Sequence, residues 1–238
     1  MSKKFFMELK MVRAVNNYRY ERKFFISEMS KYEIESLVKF HPAIFSEIYH
    51  QRFVNNIYFD SVNLTNYFDN VVGSARRVKF RIRWYGELFG LIEKPALELK
   101  IKQGLVGRKE SFSLIPFELD HSFSMSIISN VINKSEIPEN MRLKLKSTYP
   151  TLLNRYSRRY FQSADMNYRI TIDTDLVFYR INCQNNSFIG KFIDKDHVIV
   201  ELKYNQNMDD RANYITNYFP FRLSKISKYV SGLEKIGF

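Results

Sequence analysis

The sequence contains a single cysteine, Cys183, and only four histidines, which are scattered at His41, His50, His121 and His197. One cysteine excludes an intramolecular disulfide, and the scattered histidines offer no spacing of the kind that binds zinc. A Ser-His-Asp or Cys-His catalytic set is not evident either. Low cysteine usage is typical of proteins in a reducing, cytoplasmic compartment.

Long hydrophobic runs and linker-like segments are also missing. No uninterrupted apolar run reaches the roughly 18 to 20 residues that a membrane-spanning helix needs, and the lysine-bearing start MSKKFFMELKM lacks an apolar core of secretory length. There is no internal repeat and no long stretch rich in Pro, Gly or Ser. The sequence therefore predicts one continuous domain over residues 1–238 of a cytoplasmic protein, while association with a membrane through a partner protein stays open.

Positive charge and aromatic residues are present in quantity. Lysine and arginine outnumber aspartate and glutamate by 37 to 25, which gives a formal charge of +12. This excess directs attention to anionic partners such as phosphates, nucleic acid or an acidic membrane surface. The 45% of hydrophobic and 16% of aromatic residues are typical of a globular protein with a buried core.

Period-two alternation of apolar and polar residues recurs along the chain and predicts many β-strands with a few helices. The predicted strands are Arg19–Ile26, Asn56–Asp60, Val78–Tyr85, Ala96–Gln103, Lys109–Leu114, Arg155–Phe161, Tyr168–Phe178 and Val198–Tyr204. One helix is predicted after Ser30, because Ser30 and Glu33 match a capping box. Further helices are predicted near Leu119–Asn133 and Phe221–Lys235, and surface loops at Asn182–Ser187 and Asn205–Asn213.

Charged side chains share one face in each of five predicted strands. These faces carry Arg19, Glu21 and Lys23; Lys79, Arg81 and Arg83; Glu98, Lys100 and Lys102; Arg169, Thr171 and Asp173; and Glu201 and Lys203. Any one of these strands also fits an ordinary half-buried strand with a solvated face. Together they cluster cations, which costs free energy unless an anion is bound. If the strands close into a barrel, the charged faces would line a lumen that binds phosphate.

Seven short segments, in order along the chain, resemble the VTC domain of polyphosphate polymerases, a branch of the triphosphate tunnel metalloenzyme (CYTH-like) superfamily. They are RYERKF at Arg19–Phe24, RIR at Arg81–Arg83, ELKIK at Glu98–Lys102, RYSRRYF at Arg155–Phe161, YRITIDTDL at Tyr168–Leu176, VELKY at Val200–Tyr204 and LSKISKY at Leu223–Tyr229. The resemblance implies an α+β fold in which an antiparallel β-barrel tunnel with flanking helices holds ATP and inorganic polyphosphate. It also implies glutamate-bound Mn²⁺ or Mg²⁺ and transfer of the ATP γ-phosphoryl group onto the polyphosphate chain.

The resemblance further implies which residues form the site. The phosphate ligands would be Lys23, Arg81, Arg83, Lys100, Arg158, Arg169, Lys225 and Lys228. Additional substrate-binding residues would be Tyr156, Ser227, Lys102, Arg159 and Lys203. The metal ligands would be Glu201 first, and then Glu98 and Glu21.

Several of these assignments have alternatives. The choice of Arg158 over Arg159 depends on strand alternation, and a slip of one residue exchanges them. Glu98 fits a metal ligand and a salt-bridge partner equally well. Lys203 fits a phosphate ligand and a partner of neighbouring carboxylates equally well. Lys225 and Lys228 are three residues apart and are predicted to share one face of a helix. For Asp173, orienting an arginine is favoured over binding metal.

The first of the seven segments departs from the wider superfamily. Many of its triphosphatases begin with ExExK, whereas this chain reads Arg19-Tyr20-Glu21-Arg22-Lys23. Replacing an acidic ligand by a cation favours binding of a phosphate chain over activation of water. The leading hypothesis is therefore a polyphosphate-synthesising phosphotransferase.

Two other functions stay open: a tunnel-type triphosphatase or nucleotidyl cyclase, and a non-catalytic module that binds polyphosphate or nucleic acid. Nucleic acid is the weaker partner. Trp84 and Phe24 alternate onto the apolar faces of their strands, where core packing explains them better than base stacking.

Overall fold

Eleven β-strands and six α-helices form within residues 18–237, which are the residues that the computed structural model describes. The strands are β1 Arg19–Ile26, β2 Ser46–Asp60, β3 Arg76–Tyr85, β4 Gly90–Ile92, β5 Ala96–Gln103, β6 Val106–Ser113, β7 Phe117–Leu119, β8 Tyr149–Gln162, β9 Tyr168–Tyr179, β10 Lys191–Asp194 and β11 Val198–Asn205. The helices are α1 Lys31–Lys39, α2 Thr65–Val71, α3 Met125–Lys134, α4 Glu139–Leu145, α5 Asp209–Asn217 and α6 Lys228–Ile236. A short 3₁₀ helix, Gln206–Met208, precedes α5.

The main sheet closes on itself. Its strands follow the order β10-β9-β11-β1-β6-β5-β3-β2-β8, and β8 also pairs with β9. Every pairing in this ring is antiparallel, and β10 continues along the edge of β9 beyond the end of its pairing with β11. The predicted α+β fold with an antiparallel barrel is confirmed, because closure gives the strands an inner and an outer face.

The outer faces of the ring carry two apolar clusters beneath the helices. One contains Phe80, Ile82 and Trp84 of β3 together with buried residues of α3 and α4. The other contains Ile170 and Val200, and it packs against α1 and α5. Covering these faces removes apolar surface from water and leaves the polar face of the same strands turned inward.

Helix α6 fills one end of the ring. Its Tyr229 and Leu233 pack against the inward-facing Tyr58, Leu152 and Phe178. The ring centroids of Tyr58 and Tyr229 lie 5.2 Å apart. The barrel interior is therefore apolar at the α6 end, and the charged residues lie further along the strands.

Several element boundaries agree with the sequence prediction and others do not. β1 and β5 have the predicted bounds, and Ser30 and Glu33 form the predicted capping box at α1. The predicted loop at Asn205–Asn213 is wrong, because the 3₁₀ helix and α5 begin there.

The two later helices begin further along the chain than predicted, at Met125 and Lys228. No helix within residues 18–237 is both long and apolar enough to cross a membrane. The segment MSKKFFMELKM lies outside the described residues, and the single domain over residues 1–238 stays a prediction.

Candidate phosphate-binding tunnel

Charged side chains from most strands of the ring converge on its interior. The strand register explains this, because Lys23 lies opposite Glu201, Arg81 opposite Glu98, and Lys79 opposite Lys100. The converging residues are Glu21, Lys23, Lys79, Arg81, Arg83, Glu98, Lys100, Lys102, Lys109, Arg158, Asp173, Glu201, Lys203 and Lys228. Cations outnumber carboxylates in this set, so the interior carries net positive charge.

Glu98 organises the two arginines of the RIR segment. Its Oε2 accepts hydrogen bonds from Nε and Nη2 of Arg81 at 2.9 and 2.6 Å, and Arg83 Nη1 lies 3.6 Å away. Its Oε1 accepts a hydrogen bond from Lys109 at 2.6 Å. Burial opposes ionisation of Glu98, but Arg81 and Arg83 hold its pKa well below the ordinary value. Both oxygens of Glu98 are thus occupied by cations, which matches the salt-bridge alternative.

Two further carboxylates, Asp173 of β9 and Glu201 of β11, also point into the ring. Asp173 accepts hydrogen bonds from Nε and Nη2 of Arg158 at 2.5 and 2.6 Å and forms an ion pair with Lys228 at 2.5 Å. Asp173 therefore orients an arginine, the role favoured from the sequence.

Glu201 is surrounded by cations. Lys203 lies 2.9 Å from it, Lys228 3.5 Å and Lys23 3.7 Å. Burial alone would raise the pKa of Glu201, but these lysines hold it well below the ordinary value. The carboxylate is therefore ionised and turned into the tunnel.

Two lysines of the tunnel, Lys100 and Lys79, lie in surroundings that disfavour their charged form. Lys100 Nζ contacts Glu21 Oε2 at 2.5 Å, and burial lowers the pKa of Lys100 to about 8 despite the opposing effect of Glu21. Lys79 Nζ donates hydrogen bonds to the neutral Asn70 Oδ1 at 2.7 Å and Ser227 Oγ at 2.8 Å. Burial and then the nearby cations lower the pKa of Lys79 well below its ordinary value. An anion in the tunnel would relieve this repulsion.

Arg83 and Tyr156 are buried inside the tunnel. Arg83 Nε donates to Asn56 Oδ1 at 2.9 Å, and its Nη2 donates to the Tyr156 hydroxyl at 3.1 Å. Burial opposes ionisation of Tyr156, yet Arg158 and Arg83 lower its pKa. The tyrosine hydroxyl thus accepts a hydrogen bond from an arginine.

Some predicted site residues lie elsewhere. Arg159 points to the outer face, where it binds Glu47 and Glu35, because alternation along β8 turns Arg158 inward instead. The prediction that Arg159 binds substrate in the tunnel is thereby corrected.

The prediction that Lys225 and Lys228 share a helix face is also wrong. α6 begins at Lys228, and Lys225 is exposed in the non-helical segment before it. Ser227 is the N-cap of α6, and its Oγ accepts hydrogen bonds from Lys79 Nζ and Val230 N. The LSKISKY segment is therefore non-helical up to its N-cap Ser227, and Lys228 is the first residue of α6.

Arg169 and Lys102 lie near the ends of their strands, β9 and β5. Arg169 is exposed at the start of β9, opposite Lys203, and it forms no ion pair with any residue in 18–237. Lys102 is half-buried near the end of β5, and burial together with Arg77 and Lys23 lowers its pKa. Both remain candidate ligands for an anion that extends beyond the central cluster.

The carboxylates suit a divalent metal only in part. Carboxylate oxygens are the ligands that Mg²⁺ and Mn²⁺ prefer, and Mg²⁺ is commonly bound by one or two carboxylates together with substrate phosphates. Within residues 18–237, no three acidic, histidine or cysteine side chains come together in a metal-binding group. Glu201, ionised and inward-facing, fits a site in which phosphate oxygens supply the remaining ligands.

Ion pairs between carboxylates and cations connect the residues of the central cluster. Two cavities of about 520 and 460 Å³ open elsewhere, one beside α1 and one beside the segment from Arg180 to Phe192, and neither includes a predicted site residue.

The predicted site residues leave out several side chains that face the interior of the ring. Lys79 stands on the same predicted face as Arg81, so alternation was sufficient to include it. Lys109 and Asn56 enter the tunnel only through pairing with β5 and β3, which the sequence does not specify. Arg52 belongs to the first half of β2, where the alternation is too irregular to predict a strand.

The comparison with protein families agrees with this geometry. The profile of the VTC domain family matches residues 7–236. The chain belongs to the VTC domain family. The match covers nearly the whole chain, and the inward-facing RIR and ELKIK segments of this VTC domain lie within it.

Solved structures with the fold of this VTC domain come from several organisms. HpAC1 from Hippeastrum, reported to have a dominant triphosphatase activity, is 13% identical with a TM-score of 0.51, covering 91% of this chain and 95% of that protein. The PH1819 protein from Pyrococcus horikoshii is 10% identical with a TM-score of 0.50, and the match covers 91% of this chain and 99% of that protein. A candidate adenylate cyclase from Vibrio parahaemolyticus is 11% identical with a TM-score of 0.51, and the match covers 89% of this chain and 97% of that protein. These similarities show a shared fold, and no curated protein matches the chain at a significant level.

Proposed function

We propose that this VTC domain binds ATP and inorganic polyphosphate in its tunnel and transfers the γ-phosphoryl group of ATP onto the polyphosphate chain. One observation carries the proposal. Lys23, Arg81, Lys100, Arg158 and Lys228 come from five separate elements and converge around a few buried carboxylates with an excess of positive charge. Such clustering favours a bound polyanion.

Phosphoryl transfer depends mainly on positioning and charge neutralisation, which fixed cations provide. Arg81 and Arg83 offer planar pairs of donors for phosphate oxygens, and Lys100 and Lys79 act as compact charges. Glu98 holds both arginines in place before substrate arrives. The proposed role of these carboxylates is to position the cations, so that little rearrangement is needed when the anion binds.

A divalent ion, Mn²⁺ or Mg²⁺, is part of the proposal. Glu201 is the residue that would hold it, with Glu21 as a further carboxylate whose ionisation Glu201 influences. When bound, the ion would neutralise charge on the phosphate oxygens.

The filled α6 end bears on how a polymer would leave. Tyr229 and Leu233 pack tightly on the inner faces there. We infer that ATP enters and the growing chain leaves through the opposite mouth, which carries exposed Arg169.

Incubation of the protein with ATP and Mn²⁺, followed by gel analysis of the products, tests the proposal. Long phosphate chains are expected, and the double variant Arg81→Ala, Arg83→Ala should abolish them. The matched control is Arg76→Ala, Arg108→Ala, which removes the same charge from the outer faces of β3 and β6. Absence of polymer from the folded wild-type protein would overturn the proposed polymerase.

The second candidate is a tunnel-type triphosphatase or cyclase. It is supported by the fold shared with HpAC1, for which a dominant triphosphatase activity is reported. In the same assay it predicts orthophosphate, pyrophosphate or a cyclic nucleotide without polymer. A binding module without catalysis predicts anion binding and no turnover of ATP.

A further inference from the structure

Arg52 is a cation that lies outside the central cluster and forms no ion pair within the described residues 18–237. Arg52 of β2 is enclosed by three tyrosine rings, with its Cζ 4.7, 4.9 and 4.8 Å from the ring centroids of Tyr49, Tyr85 and Tyr160. Such contacts stabilise a guanidinium through the negative faces of the rings. They hold Arg52 in place without neutralising it.

The side chain of Arg52 has a buried donor, Nε, for which no residue in 18–237 supplies a hydrogen-bond acceptor. No carboxylate in the same range forms an ion pair with Arg52. Buried donors without partners are rare and costly in folded proteins. An anion bound at this position would supply an acceptor for this donor.

Arg52 lies at the rim of the barrel. The ladder between β2 and β3 ends where Val54 faces Tyr85, the last residue of β3, so Arg52 lies beyond that ladder. Along β2, Tyr58 packs against α6, and Arg52 lies toward the other end of the strand. Tyr49 and Tyr85 are each about half exposed. These residues therefore form part of the mouth opposite α6.

The rim is continuous with the central cluster. Arg52 pairs in register with Arg158, which binds Asp173 inside the tunnel. Tyr160 contacts both arginines, because its ring centroid also lies 5.9 Å from the Cζ of Arg158. A polyanion that leaves the central cluster past Arg158 thus meets Arg52 next.

We propose that Arg52, held by Tyr49, Tyr85 and Tyr160, forms a separate anion subsite at the tunnel mouth that binds a phosphate group of a polyphosphate chain extending out of the central cluster. The proposal rests on the proposed function in taking polyphosphate as the ligand. A nucleobase fits less well, because the guanidinium already occupies the space between the three rings, and its donors match phosphate oxygens.

Isothermal titration of the full chain with tripolyphosphate, ATP and long-chain polyphosphate tests the subsite. Arg52→Gln is expected to weaken binding of the long chain at least about tenfold, the loss of one charged hydrogen-bonded contact. Tripolyphosphate is expected to bind within the central cluster, so its affinity should change by less than about twofold, within the usual variation of such contacts. The control Arg76→Gln removes the same charge from the outer face of β3.

Arg52→Lys, with thermal unfolding as a check of folding, provides a second test. It keeps the charge but loses the planar donors and ring stacking, so an intermediate loss for the long chain is expected. Unchanged long-chain affinity in Arg52→Gln, an equal loss for tripolyphosphate, or a loss confined to ATP would each overturn the subsite.

The two proposals fail in different ways. If the wild-type protein binds long-chain polyphosphate but makes none from ATP, the polymerase proposal fails and the subsite test still stands. If it makes polymer but Arg52→Gln binds the long chain as well as wild type, only the subsite fails.

Discussion

Individual carboxylates determine how the tunnel cations are held. Asp173 is fully buried and contacts both Arg158 and Lys228, while Glu98 contacts both arginines of the RIR segment. Each carboxylate offsets part of the repulsion between neighbouring cations. Removing one leaves buried charges without compensation.

Asp173→Asn should therefore destabilise the protein strongly. Breaking a buried pair by removing one partner costs about 3–5 kcal/mol, and here two cations lose it. Urea unfolding measures the change, and tripolyphosphate should restore part of the stability by supplying negative charge. Asp196→Asn, at an exposed position, is the control. Equal losses in the two variants would contradict the role assigned to Asp173.

The affinity for tripolyphosphate should depend on pH through Lys100. Burial lowers the pKa of this lysine to about 8, so it is charged below that pH and neutral above it. Since the charged form attracts the anion, affinity should fall as the pH rises through about 8. Lys100→Gln should lose this part of the pH dependence, and the exposed Lys146→Gln should retain it. Titration calorimetry across this range measures the difference, and identical pH profiles for wild type and Lys100→Gln would count against the prediction.

Helix α6 does more than cap the barrel end. It brings Lys228 to Asp173 and Ser227 to Lys79, and it packs Tyr229 and Leu233 into the ring. Its close approach requires a residue without a side chain at Gly232. A Cβ there would lie 2.5 Å from Leu152 and 2.6 Å from Phe178.

Gly232→Ala is therefore expected to destabilise the protein by about 1–3 kcal/mol, the usual cost of overpacking a core. It should also weaken tripolyphosphate binding, because α6 carries Lys228. Gly190→Ala is the control, since a Cβ there meets nothing within 4 Å. Urea unfolding and titration calorimetry measure both effects. A stabilised Gly232→Ala variant would show that α6 does not pack as described.

The capping box of α1 gives a more local test. Ser30 Oγ accepts from Glu33 N at 3.3 Å, and Glu33 Oε2 accepts from Ser30 N at 2.8 Å. Ser30→Ala should lower the free energy of unfolding by about 1 kcal/mol, as for other N-cap serines. Because α1 lies on the outer face, binding of tripolyphosphate should not change. A loss of binding would show that α1 is coupled to the tunnel.

At the scale of the whole protein, the positive charge inside the ring means that a bound anion should raise the free energy of unfolding. The formal charge is +12, and part of it converges on the tunnel. Tripolyphosphate at about a hundred times its dissociation constant should stabilise the fold by about 2.7 kcal/mol. Thermal unfolding measures the shift, which should be much smaller in the Arg81→Ala, Arg83→Ala variant. An equal shift in that variant would mean that the anion binds elsewhere.

Local alternation was sufficient to predict which residues share a strand face. The separation of Arg81 and Arg83 from Ile82, and of Lys100 from Leu99, follows from the two-residue repeat of an extended backbone, so it needs no knowledge of distant contacts. The strand faces thus depend on residues close together in the chain. The order of the seven segments along the whole chain indicated the family, and that resemblance implied the barrel.

Register, closure and the starts of α3 and α6 required the tertiary structure. Lys109 reaches Glu98 through the pairing of β5 with β6, Arg159 turns outward because of the phase of β8, and α6 begins only at Lys228. The enclosure of Arg52 joins residues from three strands. Each of these depends on contacts between segments far apart in the sequence, and the stability of those contacts comes from packing rather than from local preference.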